Sequence, residues 1–263
     1  MNIEALTSQD FEVRQTEPKI VCYDIETSPA IVATWRKFDA NALWVEEYPQ
    51  IICFSAKYLD GKQITRSLPD YEGYEPGKLD DREICRELYG ILSNCEIAVA
   101  HNGDKFDWRR VKDRFLFHGF PPMPPIQTVD TKKILKRETA MFSNALNDAG
   151  QYLGLGQKVQ HTGINMWRDC RAGDMKQWRL MARYCAQDTR LLESLYKRIR
   201  THDRHAPNVN ILMNRTEGCS KCGGRDIVHR GYRMTKTGRY RRYFCNDCGG
   251  YSHGGHVKVT EIR

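Results

Sequence analysis

Asp24-Ile25-Glu26 sets two carboxylates on one side of an extended chain, since residues two apart in a strand share a face. Side by side they repel each other and are costly to bury. A divalent cation removes that cost, and hard oxygen ligands suit Mg²⁺ or Mn²⁺. A further acid comes from Ala100-His101-Asn102-Gly103-Asp104-Lys105-Phe106-Asp107. There a strand ends in a polar loop and a helix begins, the kind of sheet edge at which α/β folds build their sites. Asp104 and Asp107 compete for this place, and Asp107, after Phe106, is preferred. Tyr184 and Asp188 are four residues apart on a long helix and share a face. Asp188 can complete a carboxylate metal site, and the Tyr184 hydroxyl can hold a water. Singly, each signal has a plainer reading: solvated acids at a strand end, an acid favoured in a helix's first turn, a tyrosine near a surface aspartate.

Four of the ten cysteines form two CxxC pairs, Cys219/Cys222 and Cys245/Cys248. Each pair is followed by glycine, Gly223 and Gly249, and can form a knuckle; two knuckles can close on one tetrahedral Zn²⁺. With so few large aliphatics, this segment could hardly fold without such a staple. Four thiolates suffice, so His229, His253 and His256 are read as non-ligands. Arg225 to Phe244, between the pairs, suits a β-hairpin with Thr237-Gly238 near its turn. It carries Arg230, Arg233, Lys236, Arg239, Tyr240, Arg241, Arg242 and Tyr243. Basic residues interleaved with aromatics suit phosphate contact and base stacking, hence nucleic acid. The plainer alternative is a structural ribbon whose charge is incidental, or one that docks a protein. The remaining cysteines (Cys22, Cys53, Cys85, Cys95, Cys170 and Cys185) stand singly and read as small buried apolar residues.

Positioning the carboxylates requires a sheet with helices packed on it. Residues 19–26 read as a strand, as do 51–59 and 62–68, joined by an Asp60-Gly61 hairpin signal. This opening is an antiparallel meander. Residues 79–93 have Ile84, Leu88, Ile91 and Leu92 at helical spacing. Residues 96–101 read as a strand, 106–118 as a helix and 126–130 as a strand. A helix follows Ser143 as N-cap, and a longer one runs from Asp174 to Arg200. Strands first, then alternating helix and strand, predict an α/β fold with a mixed sheet flanked by helices. Lys158 and His161, in GLGQKVQHTG, are read as part of a surface loop, with an approach to the site or to a phosphate as the sharper alternative. Trp167 and Trp178 are read as core. The domain expectation is an N-terminal arm over 1–18, a catalytic-type domain over 19–200, a linker over 201–218 and a zinc ribbon over 219–263.

The chain has 263 residues, enough for one sizeable domain and a small one, with 40% apolar and 28% charged residues. No apolar run is long enough to span a membrane, and no membrane partner is expected. The first residues carry acids and lack an apolar core, so no secretory leader is expected. The expected compartment is a reducing cytoplasm, where CxxC pairs favour metal over disulfides. The net charge is +8 and unevenly spread. Residues 207–263 hold 11 Lys+Arg against 4 Asp+Glu, while the rest hold 30 against 29. A nearly neutral body with a basic tail points to a polyanionic partner, most simply nucleic acid.

Strand DxE, then NxxxFD, then YxxxD on a late helix form an ordered pattern that is far more specific than its parts. It resembles the DnaQ-like 3′–5′ exonucleases of the ribonuclease H-like superfamily, in the tyrosine subgroup called DEDDy, over about residues 19–200. The alternative subgroup has a His five residues before the last Asp, where this chain has Arg183. Asp130-Thr131 also resembles a pair common in the family. With its zinc ribbon the chain is similar to YprB-like nucleases of bacteria and phages. The resemblance implies two-metal phosphodiester hydrolysis from a 3′ end. By analogy Asp24 bridges two Mg²⁺ or Mn²⁺ ions, Glu26 and Asp188 complete one shell, Asp107 supports the other, and Tyr184 orients the water; Asn102 is the leading Asn of the second motif, expected near the nucleic acid. DNA is the preferred substrate. RNA trimming or endonucleolytic cutting on the same site are alternatives, with replication or repair proteins as further partners. A non-catalytic nucleic-acid-binding or accessory protein is the alternative of another class.

Overall fold

The computed structural model describes residues 18–38 and 41–257. The expected arm over 1–17 and the last residues of the ribbon, 258–263, lie outside the described residues. The chain divides into two compact units, residues 19–199 and residues from 200 onward.

In the first unit, β1 (Ile20–Thr27) is central because it is apolar on both faces until Asp24. After a short two-stranded flap, β2 (Ile31–Ala33) and β3 (Trp44–Glu47), the chain returns as β4 (Ile51–Tyr58) and β5 (Gln63–Ser67). Asp60 takes φ 58° at the tip of the β4–β5 turn, as the Asp-Gly signal requires. Then come α1 (Arg82–Ser93), β6 (Ile97–Ala100), α2 (Asp107–Phe117), β7 (Gln127–Asp130) and α3 (Thr131–Glu138). α4 (Leu146–Tyr152), α5 (Ile164–Arg171) and the long α6 (Met175–Ile199) complete the unit. The sheet order is β5-β4-β1-β6-β7. β5, β4 and β1 run antiparallel, and β6 and β7 run parallel to β1. This is the mixed sheet with flanking helices that the strand-then-alternation pattern predicts.

α1 packs Ile84, Leu88 and Leu92, all fully buried, against the sheet. Truncating one such leucine costs about 2–5 kcal/mol. α6 lays Met181, Cys185, Leu191, Leu192 and Leu195 inward, all at most 1% exposed. Asp81, fully buried before α1, accepts a bidentate pair from Arg114 (2.7 Å each), and bonds from His118 Nε2 (2.6 Å) and the Ile51 amide (2.9 Å). It therefore ties α1, α2 and β4 together. All six solitary cysteines are buried, as is Trp178, whose Nε1 donates to the Tyr74 hydroxyl. Ser143 is not the N-cap of α4. Its hydroxyl accepts from the Ala145 amide at 3.3 Å, and Ala145 occupies the cap position.

The second unit contains α7 (Val209–Leu212), then β8 (Ile227–Met234), β9 (Arg239–Cys245) and β10 (Tyr251–Val257) in one antiparallel sheet with β9 central. The β8–β9 hairpin turns at Thr235 and Gly238, as expected; β10 is an addition. Part of the stretch read as linker is structured. Asn208 caps α7, the Val209 amide donates to Ser220 O, and Asn210 Nδ2 donates to Gly218 O. No helix among the described residues is long and apolar enough to cross a membrane.

Candidate active site and cysteine cluster

Asp24 and Glu26 are half-buried positions on the central strand, opposite Ser55 and Cys53 of β4. α6 crosses this part of the sheet and brings Asp188, 1% exposed, to the same place. One oxygen each from Asp24, Glu26 and Asp188 lies within 4.8 Å of the others. Burial first, then Glu26, holds the Asp24 carboxyl well above the usual range. Burial and then Asp188 push Glu26 up to about 8. Burial also raises Asp188, although Lys158 acts against it. Asp188 Oδ1 is buried with no hydrogen-bond partner. Three crowded carboxylates with an orphaned oxygen need protons or added positive charge to coexist.

Asp107 opens α2, is 4% exposed, and accepts from the Ile25 amide at 3.4 Å, between the two strand acids. Burial raises its carboxyl to about 7. It lies outside the tight trio but adds to the repulsion on Asp24. Asp104 instead pairs with Lys133 at 2.5 Å, so the two acids of this loop are separated as expected. Asn102 shapes the turn between them. It takes φ 67°, donates its amide to Asp130 Oδ1 (2.9 Å) and accepts from the Lys105 and Phe106 amides at 3.1 Å. At Gly103 a Cβ would stand 2.4 Å from Ala100 Cβ, so only glycine fits this close approach. Asp130 caps α3, and Thr131 bonds His101 Nδ1 at 2.9 Å.

Lys158 corrects the surface-loop reading. Its ammonium lies 2.5 Å from Asp188 Oδ2 and 3.3 Å from the Tyr184 hydroxyl. Burial opposes its charge, but Asp188 outweighs that and raises its pKa above the ordinary lysine value. Asn147 holds this loop through the Lys158 amide at 3.0 Å. The Tyr184 ring packs edge-on to His161 (4.8 Å), and His161 to the half-buried Trp167 (5.4 Å). Burial, then Asp188, raises the Tyr184 hydroxyl far above its usual range. A lysine in a glycine-rich loop, 26 residues before Tyr184, was the available signal. Loop closure across the site is what the residue pattern does not encode.

In the second unit, sulfurs of Cys219, Cys222, Cys245 and Cys248 lie within 4.8 Å of one another. Cys219–Cys248 and Cys222–Cys245 are both 3.7 Å apart. A tetrahedral Zn²⁺ with bonds of about 2.3 Å sets sulfurs about 3.8 Å apart, and disulfide bonds are far shorter. The two turns are alike. The Gly223 amide donates to Cys219 O and the Gly249 amide to Cys245 O, with φ of 76° and 69°. This spacing and donor set are compatible with a zinc ribbon.

The basic and aromatic residues do not form one surface. Alternation along β9 puts Arg239, Arg241 and Tyr243 on one face, and Tyr240 and Arg242 on the other. Register places Tyr232 with Arg241, and Arg233 with Tyr240. The Arg239 guanidinium sits 3.4 Å from the Tyr232 ring centre, and His229 meets both Tyr232 and Tyr243 edge-on. On the other face Arg242 lies over Tyr251, and its Nε donates to Arg230 O. Arg230, Arg233 and Lys236 are exposed.

A family model for the RNase H superfamily matches residues 71–200. That span includes Asp107, Tyr184 and Asp188, and begins after the strand that bears Asp24 and Glu26. No curated protein matches the chain. Among solved structures, the family B DNA polymerase from the hyperthermophilic archaeon Pyrobaculum calidifontis is similar, with a TM-score of 0.55 and 15% identity. The match covers 86% of this chain and 32% of that one, so this chain spans about a third of the polymerase. With the five-stranded mixed sheet and the family match together, the first unit is an RNase H-like domain.

Proposed function

We propose that the first unit is a divalent-metal-dependent nuclease that removes nucleotides from 3′ ends, with DNA as its preferred substrate. The observation that carries this reading is the close trio of half-buried Asp24 and Glu26 with buried Asp188, whose Oδ1 has no hydrogen-bond partner among the described residues. An all-oxygen donor set of this kind fits Mg²⁺ or Mn²⁺. Asp24, Glu26 and Asp188 would hold one ion, and Asp24 with Asp107 would support a second. Ions bound there supply charge neutralisation at the phosphate and a lowered pKa for the attacking water.

The chain's own groups do the remaining work. The Tyr184 hydroxyl keeps its proton, because burial and Asp188 both resist a phenolate. It therefore acts as a hydrogen-bonding guide for the water and not as a base. Lys158 keeps its charge at neutral pH and offers an ammonium to a phosphate oxygen. The Asn102 turn aims Asp107 at β1. The DNA preference rests on the ribbon's resemblance to DNA-associated ribbons and on a solved relative that is a DNA polymerase by name. The ribbon would hold one structural Zn²⁺ on Cys219, Cys222, Cys245 and Cys248. Arg230, Arg233, Lys236, Arg239, Tyr240, Arg241, Arg242 and Tyr243 would contact nucleic acid from its two faces.

Asp24→Ala tests the reading. Metal-dependent hydrolysis of a labelled oligonucleotide should vanish while binding of the same oligonucleotide persists. Hydrolysis that survives the substitution would sink it.

A further inference from the structure

The flap formed by β2 and β3 belongs to neither the carboxylate cluster nor the ribbon, yet it branches directly from the site strand. β1 ends at Thr27, and the flap base is closed by the Ser28 amide donating to Gln50 O (2.9 Å) and the Gln50 amide to Ser28 Oγ (3.0 Å). The site acid Glu26 is thus two residues from the hinge of the flap. On its far side Glu47 receives both guanidinium nitrogens of Arg171, at 2.5 and 2.6 Å, which clips the flap to the end of α5. The flap is an anchored element, not a loose loop.

Its outer surface is unusual for a solvated hairpin. Trp35 is 87% exposed, Phe38 74%, Trp44 62% and Tyr48 68%. The tip reads Trp35-Arg36-Lys37-Phe38, all exposed, with the Lys37 ammonium 5.5 Å from the Phe38 ring centre. Clustered exposed aromatics mark an interaction surface. Aromatic rings interleaved with cations suit the π-faces and phosphates of an unpaired polynucleotide. Beneath the flap Ile31, Ile164, Trp167 and Arg168 line a cleft of about 130 Å³. That is close to a cavity that accepts a single aromatic ring. The cleft leads back to the site through the Trp167–His161–Tyr184 ring contacts.

We propose that the flap of β2 and β3, with the exposed residues 34–38 after β2, is a single-strand clamp: Trp35 and Phe38 stack on unpaired bases, Arg36 and Lys37 meet the phosphates, and the cleft beneath receives one base. This rests on the nuclease reading for its purpose and goes beyond it by naming the element that would hold an unpaired strand and the residues that would contact it.

The test uses the full chain carrying Trp35→Ala and Phe38→Ala together, both at exposed positions. Binding of fluorescent single-stranded DNA, single-stranded RNA and blunt duplex DNA is measured by anisotropy in EDTA. Hydrolysis of the p-nitrophenyl ester of thymidine 5′-monophosphate, which has no strand to clamp, is measured with Mn²⁺. The expected result is affinity for single strands weakened about ten- to hundredfold, with duplex binding unchanged and ester hydrolysis within about twofold of the parent. The DNA and RNA arms show which sugar the clamp favours. Unchanged single-strand affinity would overturn the clamp and leave the aromatics to a protein partner. Equal loss of ester hydrolysis would overturn it in favour of a structural role. If the parent hydrolyses neither ester nor strand, the nuclease reading fails, while the anisotropy result still decides whether the flap holds a single strand.

Discussion

The two metal-type clusters of this molecule are built in opposite ways. The carboxylates sit on a strand and a helix that a large apolar core already holds in place: Tyr23, Phe54, Leu88, Leu92 and Met181 are buried around them. The acids are a burden on that core: burial pushes each toward its protonated form, and neighbouring carboxylates add to this at Asp24 and Glu26. The cysteines sit in a unit with little buried aliphatic surface besides Val209, Met213 and Val257. There the cluster is the organising centre, and the strands hang from it. One site is therefore a destabilising feature that a fold tolerates for its chemistry, and the other is the fold's main support. Metal removal should affect the two units with opposite severity.

The largest effect is expected in the ribbon. A structural Zn²⁺ contributes about 10–16 kcal/mol of binding free energy that is also folding free energy. Cys222→Ser, or chelation, should abolish amide-exchange protection in β8 to β10 while the main thermal transition of the first unit stays. Persistent protection without metal would erase the contrast. Next comes chemistry at the other site. Asp188→Ala should cost hydrolysis about a thousandfold or more, since lost metal stabilisation amounts to several kcal/mol. It should change the melting temperature of the metal-free protein little, because the repulsion removed from Asp24 and Glu26 offsets the loss of the Lys158 ion pair. Loss of activity together with a large loss of stability would make Asp188 a structural residue.

Asp81→Ala probes the first unit where no metal is involved. It strands the buried Arg114 guanidinium and should cost about 3–5 kcal/mol, read as a lower denaturant midpoint. A change near zero would mean that the hub is dispensable.

A further test is the pH dependence of stability. Folded Glu26 titrates near 8 against an ordinary value of 4.5, and Asp107 near 7 against 3.8. The folded state therefore binds more protons than the unfolded state between these values. The stability these two groups contribute is full below about pH 4 and is lost as pH rises toward 8. Thermal melts in EDTA should fall across pH 5 to 8, and Mg²⁺ should flatten the curve. A metal-free melting temperature that rises over this range would contradict the crowding of the carboxylates.

Much of this arrangement is legible in the residues because strong periodic signals carry it. The unbroken apolar run before Asp24 marks a central strand, Ile84, Leu88 and Leu92 mark α1, and Asp60-Gly61 marks the hairpin. Period places each acid on a strand or a helix, but the acids become readable as a group only through the resemblance of their ordered pattern to a known family. What escaped depends on long-range closure or on weak, exposed elements. Lys158 reaches Asp188 only because the loop folds back over α6. β2 and β3 are three and four residues long and pair with each other outside the main sheet, so neither carries a long apolar run. β10 contains Gly254 and Gly255 and a register shift between His253 and His256, and it exists as an edge to β9. Ser143 looks like a cap, but the chain enters α4 two residues later.

The most direct measurement follows a single-stranded oligonucleotide labelled at its 5′ end, as DNA and as RNA, with Mg²⁺ or Mn²⁺, with EDTA, and with the Asp188→Ala variant. The proposed site predicts a ladder that shortens from the 3′ end, lost in EDTA and in the variant, and stronger on DNA. Undiminished cleavage by the variant, or no metal-dependent cleavage of either polymer by the parent chain, would contradict it.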